Sequence, residues 1–293
     1  MPKRALVVGG TGAVGTPIAR RLSQMGCDVE VLNSKNFNLT SEKPELPNKS
    51  SCEMLVHSAG TFGGLKQYTE NGLPSQQRYL ENLTRLINNF SDNGGTLAVN
   101  ISSATLANKG NSENDSPYYD YFCLKTRIED IFNSSNINHV INLRPTNIIS
   151  VAERISASNH VIASVFKKIK AAKSMPVEIW SNELDWREFT DADDLANLVI
   201  DLSRPIMTTS FGGTLTRKTI HCSNGERILI RQIVNEINSF IHGQAIKQVI
   251  YTQPHRPGPL PEMLQACVRS DGYQKLDTTF ATSLRKICEA NKH

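Results

Sequence analysis

Residues 5–15 read ALVVGGTGAVG, a short apolar run that passes directly into a glycine-rich turn. The evenly spaced glycines of this turn are Gly9, Gly12 and Gly15. Apolar residues at helical spacing follow at 17–25 and a second apolar run at 29–32, which predicts a strand–turn–helix–strand unit. Glycines let the turn tighten and let its backbone approach a pyrophosphate, toward which a helix starting near Ala13 points its N-terminal N–H groups. The segment therefore predicts a dinucleotide site.

The alternation of strands and helices continues to about residue 150. Strands are predicted at 54–57, 96–101 and 139–143, and helices at 76–90 and 119–132. Such alternation is typical of a mostly parallel sheet. We therefore predict an α/β fold with a Rossmann-like doubly wound parallel sheet. Residues 1–150 are predicted to form the dinucleotide-binding domain, together with a returning segment near 185–204.

The pattern becomes mixed after residue 150. Helices are predicted at 155–172, 192–202, 228–241 and 281–290, and strands at 177–180, 219–222 and 247–251. We predict that residues 151–293 form mainly a smaller mixed α+β C-terminal lobe that binds the substrate.

The composition indicates a soluble globular protein. Hydrophobic residues make up 39% and charged residues 20% of the 293 positions, and the net charge is +4. The short basic cluster at residues 167–173 is expected to be the solvated face of a helix, so no nucleic-acid partner is predicted. The six cysteines form no C-x-x-C pair and lie at no metal-ligand spacing with the histidines, which predicts reduced thiols and no metal. Because no leader is recognised before Ala5 and no apolar run approaches about 18 residues, we expect a cytoplasmic protein without a membrane segment.

Tyr121 and Lys125 form a candidate proton-transfer centre. Their spacing of four residues within a predicted helix puts the phenol and the ammonium on one face. The positive charge favours the phenolate, and such a tyrosine can pass a proton to or from a hydroxyl or carbonyl group. Ser102 and Ser103, at the end of the preceding predicted strand, are candidates for polarising that oxygen. The four-residue spacing alone is weak evidence. The glycine-rich turn strengthens it, because a bound dinucleotide would provide the hydride for carbonyl–alcohol chemistry at this pair.

The end of the second predicted strand bears on which dinucleotide binds. NAD usually calls for an acidic residue there to hold the ribose 2′-hydroxyl. The chain has Asn33, Ser34 and Lys35 instead, which supply no carboxylate, whereas the lysine can pair with a 2′-phosphate. NADP(H) is therefore favoured, and NAD(H) stays open because NAD also binds without an acid at this place.

Six segments, in order, resemble motifs of the extended short-chain dehydrogenase/reductases, in the NAD-dependent epimerase/dehydratase family, whose members mostly act on nucleotide sugars. Residues 8–15 resemble its TGxxGxxG turn, and residues 57–60 (HSAG) resemble its HxAA strand end. The other four matches are residues 101–105 (ISSAT) to the segment with the catalytic Ser or Thr, 121–125 (YFCLK) to YxxxK, 144–148 (RPTNI) to RPxNxxG, and 186–194 (WREFTDADD) to RDFxxVxD. Val8 replaces the threonine of the first motif, and Ser150 replaces the last glycine of RPxNxxG.

The resemblance implies a role for each matched residue. Ser103, with Ser102 as the alternative, hydrogen-bonds the substrate oxygen, Tyr121 transfers the proton, and Lys125 also holds the nicotinamide ribose. The implied cofactor contacts are Gly9, Thr11, Gly12, Ala13, Val14, Gly15, Asn33, Ser34, Lys35, Ser58, Ala59, Gly60, Tyr121, Lys125, Pro145, Asn147 and Ile148. The implied substrate contacts are Ser103, Asn147, Asn159, Arg187 and Arg256.

Arg187 is expected to contact the substrate's diphosphate, because a bidentate guanidinium suits that group. A structural ion pair with Glu188 or Asp193 is the alternative interpretation. The resemblance also implies a homodimer built from the helices near 76–90 and 119–132.

Departures from the family's motifs narrow the reaction. The family's dehydratases carry Asp-Glu after the catalytic hydroxyl, and this chain has Ala104 and Thr105, so dehydration is not expected. We predict an NADP(H)-dependent 4-ketoreductase of a nucleotide-activated sugar. The alternatives are a 4-epimerase with tightly held NAD, a reductase of a non-sugar carbonyl, and an NADP-binding regulator without catalysis.

Overall fold

Parallel strands form a central sheet, and smaller strand pairs and helices surround it. The computed structural model describes residues 2–47, 52–60, 72–107, 119–153, 155–156, 158, 160–172, 176–208, 215–243, 249–252 and 272–291. The strands are β1 (Arg4–Val8), β2 (Asp28–Leu32), β3 (Met54–His57), β4 (Leu97–Ile101), β5 (His139–Pro145), β6 (Asn147–Ile149), β7 (Val177–Ile179), β8 (Trp186–Arg187), β9 (Phe189–Asp191), β10 (Thr216–Ser223), β11 (Ile228–Leu229), β12 (Val249–Tyr251) and β13 (Tyr273–Lys275). The helices are α1 (Gly15–Gln24), α2 (Gly72–Asp92), α3 (Tyr119–Asn133), α4 (Val161–Ala171), α5 (Ala192–Thr208), α6 (Ile230–His242) and α7 (Phe280–Ala290), and Ala104–Ala107 form a 3-10 turn.

The central sheet has seven strands in the order β13-β10-β5-β4-β3-β1-β2. Every pairing in it is parallel. β3 and β4 are buried along their whole length, as expected for parallel strands that helices cover on both faces. The predicted Rossmann-like doubly wound sheet is confirmed.

Two apolar cores lie on opposite faces of this sheet. On one face α1 and α5 pack against the strands, with Ile18, Leu22, Leu195 and Val199 fully buried. On the other face α2 and α3 contribute a second core, whose buried residues include Leu83, Leu86, Ile128 and Phe132. Each helix buries one apolar side, which is what the helical spacing of those residues predicts.

The direction of strand addition reverses between β1 and β3, which are neighbours in the sheet. The chain first adds β2 on one side of β1 and then places β3 on the other. Ligands of open parallel sheets bind at such a reversal, outside the carboxyl ends of the strands. The glycine-rich turn after β1 and residues 58–60 after β3 both lie at this edge.

The C-terminal half contributes to the sheet and also forms a core of its own. β10 pairs with β5 and β13 pairs with β10, so residues 216–223 and 273–275 extend the central sheet. A third core gathers apolar residues of α4, α6 and α7, including Phe166, Ile233 and Phe280. The separation into two lobes at residue 150 stays a prediction.

The helix predicted from residue 155 is wrong at its start, because α4 begins only at Val161. Ile155 and Ser156 lie in a turn. Upstream of the helix, the buried Glu153 carboxylate accepts a hydrogen bond from Ser158 Oγ and contacts His160 Nδ1 at 2.8 Å. These polar contacts hold the segment in a non-helical path that its apolar spacing does not reveal.

A row of hydrogen-bonded polar side chains, buried except for Asn133, runs from α2 across neighbouring strands to the end of α3. His57 Nε2 lies 2.7 Å from Tyr79 Oη, and His57 Nδ1 lies 2.8 Å from Asn100 Oδ1. Asn100 Nδ2 donates to Asn142 Oδ1 at 2.9 Å, and Asn142 Nδ2 donates to Asn133 Oδ1 at 2.9 Å. The row provides hydrogen-bond partners for polar groups that would otherwise be costly to bury between two apolar cores.

The remaining sequence expectations concern charge and thiols. Lys168 and Lys170 of the basic cluster are exposed, and their ammonium groups donate to the Glu178 and Asn291 carbonyls. The described cysteines, at positions 27, 52, 123, 222 and 288, form no disulfide with one another. Within the described residues, no group of His, Cys, Asp and Glu has an arrangement suited to a metal ion. None of the described helices has the length and hydropathy to cross a bilayer.

Candidate active site

The glycine-rich turn is closed by its own backbone. The Gly9 amide donates to the Leu32 carbonyl at 2.7 Å, and the Gly12 amide donates to the Gly9 carbonyl at 2.9 Å. Gly9 has φ of +79°, a conformation that side chains disfavour. A Cβ on Gly15 would lie 2.2 Å from the Gly9 carbonyl oxygen, so the helix can approach the turn only with glycine at that position.

The outer side of the turn fits a dinucleotide. Thr11 and Gly12 are exposed, and within the described residues a Cβ on Gly12 would meet only the Gly9 oxygen, at 3.2 Å. Val14 precedes the first turn of α1, and its side chain makes no capping hydrogen bond to the N–H groups there. A helix start without a side-chain cap, beside a backbone that a ligand can approach, suits a pyrophosphate.

The segment after β3, residues 58–60, contacts the glycine-rich turn and the end of β1. Ser58 Oγ donates to the Val8 carbonyl at 2.8 Å, and the Ser58 amide donates to the same oxygen. A Cβ on Gly9 would lie 2.7 Å from the Ala59 backbone, so the two segments are in direct contact. Gly60 follows at an exposed position. The two predicted cofactor segments therefore lie together.

The end of β2 forms a tight polar turn. Asn36 Oδ1 accepts from the Asn33 amide at 2.7 Å, and Asn33 Oδ1 accepts from the Lys35 amide at 2.9 Å. Ser34 and Lys35 are exposed on this turn. The turn places the lysine at the carboxyl end of β2, next to the glycine-rich turn, as a 2′-phosphate contact requires.

Ser103 lies at the carboxyl end of β4, at the start of the 3-10 turn. Thr105 Oγ1 donates to Ser103 Oγ at 2.9 Å, which leaves the Ser103 hydroxyl hydrogen available for another acceptor. Ser102 Oγ is also buried and has no hydrogen-bond partner among the described residues. Both serines therefore lie at the carboxyl end of β4, where the sequence predicts the catalytic hydroxyl.

Tyr121 and Lys125 lie on the same side of α3, facing the end of β4. Lys125 Nζ lies 5.9 Å from the centre of the Tyr121 ring and donates to the Ile101 carbonyl at 3.3 Å. Lys125 is buried, whereas the Tyr121 side chain is only partly buried. The 3-10 turn after Ser103 packs against α3, which brings the hydroxyl and the phenol segments together.

Two arginines hold α3 in place, and the sequence motifs did not identify either as part of the site. Arg144 forms a bidentate pair with Glu129, with Nε to Oε1 at 2.8 Å and Nη2 to Oε2 at 2.6 Å. Arg217 donates to the Asn133 and Ser135 carbonyls at the end of the helix. The position of Glu129, one helical turn after Lys125, is the signal by which sequence reasoning could have found the first contact.

The position after Ser103 is apolar and covered. Ala104 is buried, and Trp186, Tyr273 and Ala107 pack around it. The Arg227 guanidinium lies 4.8 Å from the centre of the Trp186 ring. Trp186 and Tyr273 were not among the predicted site residues, and their separation in sequence from Ala104 gives no sign that they meet it.

Arg187 is partly buried at the end of β8, and its Nη1 donates to the Trp186 carbonyl at 2.8 Å. The two acids proposed as structural partners are engaged elsewhere. Asp193 pairs with Arg20 at 2.5 Å, and Glu188 Oε2 accepts from Ser223 Oγ at 3.1 Å. Burial raises the pKa of Glu188 to about 7, and the nearby Arg227 opposes that shift only in part.

Asn147 connects this segment to the end of β5. Asn147 Nδ2 donates to the Glu188 carbonyl at 2.9 Å, and the Asn147 amide donates to the same oxygen. Pro145 is buried, Ile148 is partly buried, and Asn147 is exposed, all on the carboxyl side of the sheet. Asn159 and Arg256 lie outside the described residues, so their predicted substrate contacts stay predictions.

Solved structures share the whole fold. A GDP-6-OMe-4-keto-L-xylo-heptose reductase from C. jejuni aligns with a TM-score of 0.70 and 15% identity, over 98% of this chain and 97% of that chain. The GDP-mannoheptose C4 reductase MlghC from Campylobacter jejuni, with NADP bound, aligns with a TM-score of 0.71 and 15% identity, over 99% and 98%. MoeE5 in complex with UDP-glucose and NAD gives 0.70 and 16%, over 99% and 98%.

The family is established by sequence. A search of curated proteins finds no match. The model of the NAD dependent epimerase/dehydratase family matches residues 5–204, which contain the glycine-rich turn, Ser103, Tyr121, Lys125 and Arg187. The protein described here therefore belongs to the NAD dependent epimerase/dehydratase family.

Proposed function

We propose that the protein is an NADP(H)-dependent oxidoreductase that acts on a keto or hydroxyl carbon of a nucleotide-activated sugar, as a 4-ketoreductase. The observation that carries this proposal is the arrangement around Ser103. The Ser103 hydroxyl accepts from Thr105, Lys125 lies beside Tyr121, and the next residue, Ala104, is buried under Trp186 and Tyr273. The site thus has a proton donor and a polarising hydroxyl, and the described residues directly after Ser103, at positions 104–107, include no acid.

The chain's own residues perform the proton chemistry. When bound, the nicotinamide supplies or accepts the hydride. Ser103 donates a hydrogen bond to the substrate carbonyl oxygen, which favours the negative charge that develops there. Tyr121 then gives its proton to this oxygen, and the Lys125 ammonium stabilises the phenolate that is left behind.

Dehydration is disfavoured by the same geometry. Elimination of water from a sugar needs an acid and a base beside the carbonyl carbon. Ala104 and Thr105 occupy the positions after Ser103, and the aromatic rings around Ala104 leave this side apolar. A single hydride transfer at one carbon is the chemistry that the remaining groups support.

The proposed cofactor is NADP(H), with NAD(H) as the alternative. The exposed Lys35 at the end of β2 suits a 2′-phosphate, and the turn from Asn33 to Asn36 holds its backbone. Both cofactors occur in this fold, since the MlghC structure has NADP bound and the MoeE5 structure contains NAD.

The remaining proposals concern substrate, lobes and assembly. The two heptose reductases of similar fold are named for GDP-linked sugars, which supports a nucleotide-sugar substrate for this protein. We propose that Arg187 contacts the diphosphate of that substrate. We propose that residues 1–150 bind mainly the cofactor and residues 151–293 mainly the substrate. We also propose a cytoplasmic homodimer that buries the outer sides of α2 and α3.

The decisive experiment follows NADPH absorbance with 4-keto nucleotide sugars carrying GDP, UDP, CDP or TDP. We expect stoichiometric NADPH oxidation with one of them. Interconversion of a 4-hydroxy nucleotide sugar and its epimer without net cofactor turnover would instead establish the 4-epimerase. NADPH consumption with simple ketones alone would contradict the nucleotide-sugar substrate.

The diphosphate contact has a matched test. Arg187→Ala is expected to weaken nucleotide-sugar binding while leaving NADPH affinity unchanged, because Arg187 is assigned to the substrate alone. Arg204→Ala, at an exposed position on α5, serves as the control. Equal nucleotide-sugar affinity of the Arg187 variant and the control would contradict the assignment.

A further inference from the structure

Ser150 occupies the place where the RPxNxxG motif has its last glycine, and its hydroxyl contacts the glycine-rich turn. Ser150 is buried, with 6% of its surface exposed. Ser150 Oγ donates to the Ala13 carbonyl at 2.6 Å, across a separation of 137 residues in the chain. A glycine at this position could not make that contact. The chain thus has a link between the two segments that its family motif lacks.

The accepting carbonyl belongs to the peptide that joins Ala13 to Val14. Val14 immediately precedes α1, and its side chain makes no capping hydrogen bond at this end of the helix. A hydrogen bond to a peptide oxygen polarises the whole amide, so the N–H of the same peptide becomes a stronger donor. Here that N–H is the Val14 amide, which lies in the turn where the pyrophosphate is expected.

The Ser150 hydroxyl is itself held in one orientation. The Ala152 amide donates to Ser150 Oγ at 3.2 Å, while the hydroxyl hydrogen is directed to Ala13. The Glu153 amide donates to the Ser150 carbonyl at 3.1 Å, which closes the turn after β6. The hydroxyl therefore acts as both acceptor and donor, with little freedom to rotate away.

The turn after β6 is in turn fixed to α4. Glu153, which is buried, contacts His160 Nδ1 at 2.8 Å, and His160 directly precedes α4. Lys167 Nζ donates to the Ser158 carbonyl at 2.7 Å. Residues of the C-terminal half thus hold Ser150 in place, and Ser150 in turn fixes the Ala13 carbonyl of the glycine-rich turn.

We propose that Ser150 is a positioning residue for the cofactor, acting through the Ala13–Val14 peptide on the pyrophosphate of the dinucleotide. The inference rests on the proposed dinucleotide site, and it adds to that site a residue that touches neither the substrate nor the nicotinamide. It also predicts which part of the cofactor senses Ser150. The effect belongs to the pyrophosphate, and the adenosine 2′-phosphate is bound elsewhere, at the end of β2.

The test compares wild type, Ser150→Ala and Ser150→Gly in calorimetric titrations with NADPH and with adenosine 2′-monophosphate. The second ligand has the 2′-phosphate but no pyrophosphate. Both variants are expected to bind NADPH about 3- to 10-fold more weakly, the effect of one lost hydrogen bond. Their affinity for adenosine 2′-monophosphate is expected to equal that of wild type.

Ser134→Ala is the control, because it removes an exposed serine hydroxyl that donates to the Asp130 and Ile131 carbonyls at the end of α3, away from the glycine-rich turn. It is expected to keep the wild-type affinity for NADPH. Thermal unfolding of each variant checks that it is folded at the temperature of the titration.

Unchanged NADPH affinity in Ser150→Ala would overturn the inference, and so would an equal loss for both ligands, which would indicate a general loosening of the site. Absence of NADPH and NADH binding to the wild type would instead overturn the proposed function together with the inference.

Discussion

In the proposed mechanism, the Tyr121 phenol gives its proton to the substrate oxygen. Tyr121→Phe removes this proton donor and keeps the ring that packs against the core beside α3. We expect kcat to fall about 10²- to 10⁴-fold, the contribution typical of a general acid. NADPH affinity is expected to stay within about threefold of wild type, because Lys125 and the glycine-rich turn are unchanged. Steady-state kinetics with the substrate found above and a direct NADPH titration measure the two effects.

Tyr119→Phe is the control for this prediction. It removes a phenolic hydroxyl at the first residue of the same helix, two positions from Tyr121. A comparable fall in kcat in both variants would show that the helix, and not the Tyr121 hydroxyl, limits the reaction.

At Gly15, a single methyl group tests the closure of the cofactor turn. In Gly15→Ala the new Cβ would lie 2.2 Å from the Gly9 carbonyl oxygen and 2.6 Å from Ser58 Oγ. The turn has to open, so we expect NADPH affinity to fall more than tenfold and stability to fall by about 1–3 kcal/mol. Calorimetric titration and chemical denaturation measure these two quantities.

Gly26→Ala provides the comparison at the other end of the same helix. Gly26 has φ of +83°, and no described atom lies within 4 Å of a Cβ built there, so the variant suffers only backbone strain. It is expected to lose about 1 kcal/mol of stability and to keep its NADPH affinity. Equal affinity losses in the two variants would contradict a specific closure at Gly15.

Residues that sequence alone identified share a local signature. The glycine spacing and the Tyr121–Lys125 spacing are each read within a few residues, and the structure brings these segments to one edge of the sheet. Arg144 and Trp186 stand in matched motifs, but neither the motifs nor the position of Tyr273 indicates the residues that they contact, since those partners lie in other elements. A contact between elements depends on strand order, which no short motif encodes.

At the scale of elements, a bidentate ion pair between Glu129, which is buried, and Arg144, which is partly buried, holds α3 against β5. Glu129→Gln breaks the charge pair and leaves the Arg144 guanidinium partly buried without its carboxylate. We expect a loss of about 3–5 kcal/mol of unfolding free energy, because an uncompensated charge in a buried site is costly. We also expect kcat to fall with little change in KM, since the helix positions Tyr121. Chemical denaturation and steady-state kinetics measure these effects.

The double variant Glu129→Gln/Arg144→Met tests the interpretation. Removing both charges is expected to recover part of the stability that the single variant loses. Additive losses in the double variant would mean that the two side chains contribute independently and that the pair does not act as a unit.

The sequence pattern predicts the presence of most helices and strands, but it does not always predict where a helix begins. The strands at 54–57 and the helices near 119–132 and 281–290 were predicted within a residue or two. The start of α4 was missed by six residues, because Glu153, Ser158 and His160 form a polar loop ahead of it. Apolar periodicity records which side of a helix is buried, but side-chain contacts decide where the helix begins.

For the whole molecule, a buried neutral histidine makes stability depend on pH. Burial lowers the pKa of His57 to about 4, the nearby Lys125 lowers it further, and only the contact with Asn100 opposes the shift. The unfolded chain binds a proton near pH 6.5, which the folded protein takes up only near pH 4. The unfolding free energy should therefore fall as pH decreases from about 6.5 to 4, by about 2–3 kcal/mol for this residue.

His57→Gln is expected to reduce this pH dependence, measured by chemical denaturation between pH 4 and 7. Some dependence should remain, since burial also lowers the pKa of His221 to about 4. Curves of identical slope for wild type and variant would contradict a proton uptake by His57 on unfolding.

The sequence predicts the class of the sheet, but it does not predict which C-terminal segments add the last strands. Alternating strands and helices predicted the parallel doubly wound arrangement, because each crossover needs a helix between neighbouring strands. The pairing of residues 216–223 with 139–145 was not predicted, since it joins segments about 75 residues apart. Such long-range pairing depends on which edge of the sheet has unpaired backbone groups, and no local pattern in the sequence records this.

The polar row through His57 has a consequence for the proton on the imidazole ring. Every carboxamide in it donates in the same direction, from Asn100 to Asn142 and from Asn142 to Asn133. Asn100 therefore presents its oxygen to Nδ1, which favours the hydrogen on Nδ1. The Tyr79 hydroxyl lies 2.7 Å from Nε2 and 3.0 Å from the Ala59 carbonyl oxygen, so these two acceptors share its one hydrogen. The direction of the amides along the row, which ends at Asn133, the last residue of α3, is thus coupled to the nitrogen of His57 that carries the hydrogen.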